Sequence, residues 1–122
     1  MLKIGISGIL ILVGLINLVP VFGVLGSKNL LALYGVALED PNLLILMTHR
    51  SVLFGLLGIF LIVAAWRTEF QIAAFVAGIV SMLSFIVIAR LTGNYNTEIN
   101  KIVRADIIAS IILLVAIILY FF

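Results

Sequence analysis

The sequence predicts an all-α protein: a four-transmembrane-helix, up-and-down bundle with a short interfacial helix between helices 1 and 2. Hydrophobic residues make up 66% of the 122 residues and charged residues 10%, whereas an ordinary soluble domain has roughly 25% charged residues. The mean hydropathy is +1.45. The apolar residues also form four segments of about 20 residues, the length that a helix needs to cross the hydrocarbon core.

The four segments are continuously apolar, which favours helices over the alternating pattern of an outer-membrane barrel. We expect a single membrane domain over residues 1–122, with helices at about 2–25, 41–66, 70–91 and 98–121. Because these helices take up nearly the whole length, we expect no soluble catalytic domain within these residues. The net charge of +2 and the lack of a basic run argue against a nucleic-acid partner.

We interpret the first segment as a retained transmembrane helix, because its apolar run exceeds the roughly 7 to 15 residues of a signal-peptide core. Pro20 has no amide hydrogen for the carbonyl of Ile16 and clashes with it, so a kink is expected just beyond Asn17. Asn17 lies on the stripe that faces the bundle. Two roles stay open for its amide: a hydrogen bond to another helix, or a contact with a ligand.

The connection after the first segment predicts the short interfacial helix. Residues 27–35 begin with a serine cap and end with a glycine, which favours the end of a helix. The second transmembrane helix is expected to begin after Asp40, a good N-cap residue, with Pro41 at its first position.

A polar step interrupts the apolar run of the second helix: Thr48-His49-Arg50-Ser51. It lies about two turns from the helix start, near one membrane interface. Small residues follow along one face, as they do in the third helix from Ala74 through Gly78 to Ser84. Such stripes let helices approach closely in lipid. A stripe inside the bundle makes the monomer the default state, whereas a stripe on the outside leaves a homo-oligomer open.

Topology gathers the polar residues at one end of the bundle. The start of helix 2, the end of helix 3 and the start of helix 4 share one side of the membrane when the helices alternate in direction. Arginines beside two helix N-termini suit an anion. The predicted ligand-binding residues are Asn17, His49, Arg50, Arg90, Arg104 and Asp106.

Asp106 is the residue of this set that most needs a partner. It lies furthest into the membrane of the charged residues on its helix, where an unpaired carboxylate is costly. Arg104 lies about 200° away from it around the helix, so Arg50 or Arg90 is the expected counter-ion. A competing interpretation is that the arginines only anchor the bundle by reaching lipid phosphates.

Residues 48–59, THRSVLFGLLGI, together with the chain length and the four-span hydropathy, resemble the small DoxX-like four-helix membrane proteins. The resemblance implies a bundle fold. It implies no catalytic assignment.

Two functions of different classes fit these residues. The preferred one is a non-enzymatic protein that binds membrane lipids, in particular an anionic lipid or amphiphile, or a partner subunit at its charged end. The other is a membrane enzyme or quinone-linked redox subunit in which His49 and Asp106 transfer protons. No catalytic residue, cofactor or metal is predicted, because cysteine is absent and His49 is the single histidine.

Charge asymmetry predicts how the chain sits in a plasma or inner membrane. By the positive-inside rule, Lys3 and Arg67 at one end are outnumbered by the residues at the other: Lys28, Arg50, Arg90, Lys101 and Arg104. We expect the charged end in the cytoplasm and both termini outside. A C-terminal reporter that is active only in the cytoplasm should therefore stay inactive, and its activity would reverse the assignment.

Overall fold

A computed structural model describes the chain as four long helices, with residues 2–21, 31, 35 and 40–122 described. The helices are α1 (Leu2–Leu18), α2 (Pro41–Ala64), α3 (Gln71–Thr92) and α4 (Thr97–Phe121). A 3₁₀ turn, Thr68–Phe70, connects α2 to α3. Four helical segments are long and apolar enough to cross a membrane, and the described ranges contain no strand.

Neighbouring helices run in opposite directions. Ser7 near the start of α1 donates a hydrogen bond of 2.6 Å to the carbonyl oxygen of Ala65, just beyond the end of α2. Phe75 near the start of α3 contacts Tyr120 near the end of α4 edge to face, with ring centroids 5.5 Å apart. Contacts also join α1 to α4 and α2 to α3, which closes the ring of helices. The predicted all-α, four-helix up-and-down bundle is confirmed, and the chain is a small multi-pass integral membrane protein.

A narrow core lies on the axis of the bundle. Its fully buried side chains include Leu10, Val13, Leu61, Met82 and Leu113. Large apolar side chains are also exposed on all four helices. Soluble monomers rarely expose so much contiguous apolar surface. The outer surface of the bundle therefore suits lipid.

Side-chain caps fix the starts of two helices at the polar end. The Asp40 carboxylate accepts a hydrogen bond of 2.9 Å from the backbone N–H of Asn42, and Pro41 follows in the first turn, as predicted. The Asn96 side chain accepts one of 2.8 Å from the backbone N–H of Ile99 at the start of α4. Each cap satisfies an N–H group that has no partner inside its helix.

Helix α1 ends earlier than the sequence predicted. Its α-helical segment stops at Leu18, and residues 19–21 continue as a 3₁₀ turn. Pro20 explains the change, because it removes one backbone donor and its ring clashes with the carbonyl of Ile16. Residues 22–25 of the predicted helix lie outside the described residues.

The predicted interfacial helix also lies outside the described residues, apart from Leu31 and Gly35. The Gly35 N–H donates to the carbonyl oxygen of Leu31 at 2.7 Å, and its φ is +68°. A Cβ on Gly35 would lie 2.6 Å from the Glu98 carboxylate and 2.7 Å from the Asn96 amide. At this residue the connection therefore passes close to the start of α4.

The small-residue stripe of α3 is buried over one part of its length and exposed over another. Ala74 and Gly78 are buried in the bundle, and a Cβ on Gly78 would lie 2.9 Å from the side chain of Leu113 in α4. Ser84, further along the stripe, is exposed. The inner part of the stripe packs against α4, while the monomeric state of the protein stays a prediction.

Helices α1 and α2 cross in backbone contact at two glycines. A Cβ on Gly14 would lie 2.8 Å from the carbonyl oxygen of Gly58, and a Cβ on Gly58 would lie 2.7 Å from the carbonyl oxygen of Gly14. Lipid supplies no hydrophobic drive for helices to associate, so close packing of this kind holds them together. The crossing tolerates no side chain on either helix.

Gly58→Ala should therefore destabilise the bundle, because the added methyl group meets the backbone of α1. We expect the free energy of unfolding to fall by roughly 1–3 kcal/mol, as in other overpacked interiors. Thermal denaturation in detergent measures the effect. Gly8→Ala is the matched control, since a Cβ there meets nothing within 4 Å. Equal loss of stability in both variants would show that the close crossing is absent.

Candidate functional site

Three of the predicted residues meet at one cavity: Asn17, Arg50 and Asp106. This cavity, which we call the inner cavity, has a volume of about 280 Å³ and lies between α1, α2 and α4. Its remaining walls are apolar or small: Ile16, Val19, Pro20, Phe54, Ile102 and Ala105. The 3₁₀ turn that follows α1 thus forms one side of the inner cavity.

Asp106 is buried at the wall of the inner cavity, with 8% of its surface exposed. Arg50 lines the same cavity and brings a cation to it. Of the two counter-ions expected, the structure thus places Arg50 with Asp106, while Arg90 is exposed. A carboxylate in apolar surroundings is costly, and a nearby cation offsets part of that cost.

Arg50 is held between two phenylalanine rings. Its Cζ lies 4.7 Å from the ring centroid of Phe54 and 4.9 Å from that of Phe85. Cation–π contacts are worth on the order of 0.5 to 2 kcal/mol, with the larger values where water is excluded. The half-buried guanidinium of Arg50 therefore has one ring contact from its own helix, α2, and one from α3.

A second cavity lies on the other side of Arg50, between α2 and α3. This space, which we call the α2–α3 groove, has a volume of about 250 Å³. Arg50 and Phe54 line both spaces. The rest of the groove combines hydroxyl groups with apolar side chains: Leu53, Leu57, Ser81, Ser84, Phe85 and Ile88. Helices α2 and α3 share less contact than the other neighbouring pairs, which leaves room for the groove.

Asn17 makes its hydrogen bond within its own helix. The side-chain N–H donates to the carbonyl oxygen of Val13 at 2.9 Å, and 3% of the residue is exposed. The sequence allowed either a bond to another helix or a contact with a ligand. The observed bond stays within α1, because an asparagine N–H can donate to the carbonyl oxygen four residues earlier. Its place in the wall of the inner cavity suits the other expectation, a contact with a ligand.

The other three predicted residues do not join these cavities. His49, Arg90 and Arg104 are exposed, and none of the three lines the inner cavity or the α2–α3 groove. His49 lines a shallow groove on the outer face of α2 with Leu44, Ile45, Thr48 and Val52. A proton relay needs its groups within hydrogen-bond reach of each other or of shared water. The structure does not bring His49 and Asp106 together in this way.

Sequence reasoning missed four residues of the site. The contact of Phe54 with Arg50 could be predicted from the sequence, since Phe54 lies four residues after Arg50 on the same helical face. The contact of Phe85 with Arg50 could not, because it depends on how α3 is rotated against α2. Ser81 and Ser84 belong to the small-residue stripe of α3, yet both line the α2–α3 groove.

No protein-family model, curated protein or solved structure matches this chain. Within the described ranges, no three metal-ligating side chains converge. The chemistry of the site therefore rests on one arginine, one buried carboxylate, one amide and the apolar walls around them.

Arg50→Leu should destabilise the bundle, because it removes two ring contacts and the charge that acts on Asp106. Adding Asp106→Asn should recover part of the loss, since a neutral amide replaces the carboxylate. The double-mutant cycle is expected to give a coupling free energy of about 0.5–3 kcal/mol, the range for groups in one network. Unfolding in detergent measures each variant.

Arg104→Leu provides the matched control for this cycle, because Arg104 is exposed and lines neither cavity. Its coupling to Asp106→Asn should be close to zero. A coupling of Arg50 to Asp106 no larger than that of Arg104 would contradict the electrostatic link.

Proposed function

We propose that the protein binds an anionic membrane amphiphile in the α2–α3 groove, with its headgroup at Arg50. The observation that carries this proposal is the position of Arg50, a cation fixed by two rings at one end of an otherwise largely apolar groove. An amphiphile has the complementary arrangement of an anionic head and an apolar chain.

Arg50 supplies the headgroup contact. A guanidinium has five N–H donors and binds phosphate or carboxylate oxygens in a forked geometry. Ser81 adds a hydroxyl group to the same groove. In surroundings of low dielectric constant, attraction between the cation and an anion is stronger than it is in water.

The groove also opens towards lipid. Leu53 and Ile88 line it and are 51% and 62% exposed, on the outer faces of α2 and α3. An acyl chain can thus enter sideways from the bilayer. Lipid chains are as apolar as leucine side chains, so placing an acyl chain in the groove adds shape complementarity but little free energy of binding. The charge of the headgroup therefore sets the selectivity.

An anionic ligand also agrees with the predicted orientation of the chain. Anionic lipids are concentrated in the cytoplasmic leaflet and are attracted by positive charge near the membrane surface. Arg90, near the end of α3, and Arg104, near the start of α4, are both exposed on this side. They attract anionic lipid to the polar end, while Arg50 binds it in the groove.

Ser84→Leu should weaken binding of phosphatidylglycerol, because leucine fills the α2–α3 groove and leaves Arg50 in place. We expect up to about a tenfold loss of affinity, equivalent to 1.4 kcal/mol. Native mass spectrometry measures the lipid retained from micelles with equal amounts of phosphatidylglycerol and phosphatidylcholine of the same chains. The wild-type protein should retain phosphatidylglycerol in preference.

Two controls accompany this variant. Ala73→Leu adds a leucine to an exposed position of α3 outside the groove and should bind lipid as the wild-type protein does. Arg50→Gln should lose the preference for phosphatidylglycerol, whereas Arg104→Gln should keep most of it. Unchanged retention in both Ser84→Leu and Arg50→Gln would exclude the groove as the binding site.

A further inference from the structure

The inner cavity suits a ligand of a different charge from the one proposed for the α2–α3 groove. We infer that it binds a neutral single-chain amphiphile whose polar group both donates and accepts hydrogen bonds, as the hydroxyl groups of a monoacylglycerol do. The two sites share Arg50 and Phe54 but differ in their other lining residues. Each therefore can be blocked without filling the other.

Opposite charges face the inner cavity. Arg50 and Asp106 line it together, and Asp106 is 8% exposed. Charges interact strongly where water is scarce, so an anion that approaches Arg50 is repelled by Asp106. A cation that approaches Asp106 is repelled by Arg50 in turn. A neutral polar group meets neither penalty.

Hydrogen-bonding capacity points to the same ligand class. The Asp106 carboxylate accepts hydrogen bonds, and the Arg50 guanidinium donates them. Asn17 lines the cavity as well and can do both. A ligand hydroxyl can donate to the carboxylate while it accepts from the guanidinium or the amide.

Size and shape restrict the ligand further. The volume of about 280 Å³ lies just below the usual range of small-molecule sites, roughly 300–1,000 Å³. The apolar walls come from α1, α2 and α4 and from the 3₁₀ turn at Pro20. The inner cavity therefore suits one polar group and one stretch of hydrocarbon.

Three probes with chains of equal length and different charge test this inference: monolauroylglycerol, dodecyl phosphate and dodecyltrimethylammonium. Thermal stabilisation and native mass spectrometry of the full chain in detergent measure their binding. Monolauroylglycerol should bind the wild-type protein and Ser84→Leu, but should bind Ala105→Leu about tenfold more weakly (1.4 kcal/mol), because leucine fills the inner cavity. Dodecyl phosphate should show the reverse pattern, since it binds in the groove.

This reversal separates the two proposals, because each variant blocks one site. Val19→Phe fills the inner cavity from a position that is 50% exposed, so it serves if Ala105→Leu does not fold. Asp106→Asn in the Ser84→Leu background should restore binding of dodecyl phosphate, since the repelling charge is gone.

Failure of monolauroylglycerol to bind the wild-type protein would overturn the inference. Equal binding of monolauroylglycerol by the wild-type protein and by the variants that fill the inner cavity, Ala105→Leu and Val19→Phe, would also overturn it. Preferential binding of dodecyltrimethylammonium to the inner cavity would also overturn it, because the site would then act as a cation site.

Discussion

The guanidinium of Arg50 is the constraint around which the polar end of this bundle is arranged. A cation inside a membrane-spanning helix costs roughly 2.5–3.5 kcal/mol at the helix centre and less towards the interface. The surrounding helices offset that cost in two ways. Phe54 and Phe85 contact the cation through their rings, and Asp106 of α4 brings a carboxyl group to the cavity that Arg50 also lines. Because these partners come from three helices, the charge of Arg50 and the packing of the polar end depend on each other.

At the opposite end of the bundle, no charged side chain among the described residues is buried. Ser7 and Gln71 donate hydrogen bonds of 2.6 and 3.0 Å to the last carbonyl groups of α2, groups that the helix itself leaves unsatisfied. The ion pair of Arg67 with Glu69 is exposed, and pairs of this kind contribute little to stability. This end is therefore closed by hydrogen bonds between helices, while the polar end has two cavities that share Arg50.

Most of the fold could be predicted because length and hydropathy alone determine how many helices cross a membrane. The cap at Asp40 was equally local and could be predicted from neighbouring residues. The site was harder, since it depends on which way each helix is rotated. His49 and Arg50 are adjacent in sequence, yet they lie about 100° apart around the helix, so one faces outward and the other lies between Phe54 and Phe85. Arg104 and Asp106 diverge for the same reason. Val19 and Pro20, in the 3₁₀ turn that follows α1, line the inner cavity. A sequence pattern that predicts a kink does not give the position of that wall.

The measurement that tests the central claim most directly is a density map of the protein in a lipid nanodisc that contains phosphatidylglycerol, with a rigid antibody fragment bound to give the particle sufficient size. The claim predicts that Arg50 lies between Phe54 and Phe85, and that chain-like density follows the space between α2 and α3 and ends at the guanidinium. A map in which α2 and α3 pack together along this length, with Arg50 extended among the lipid headgroups, would contradict it.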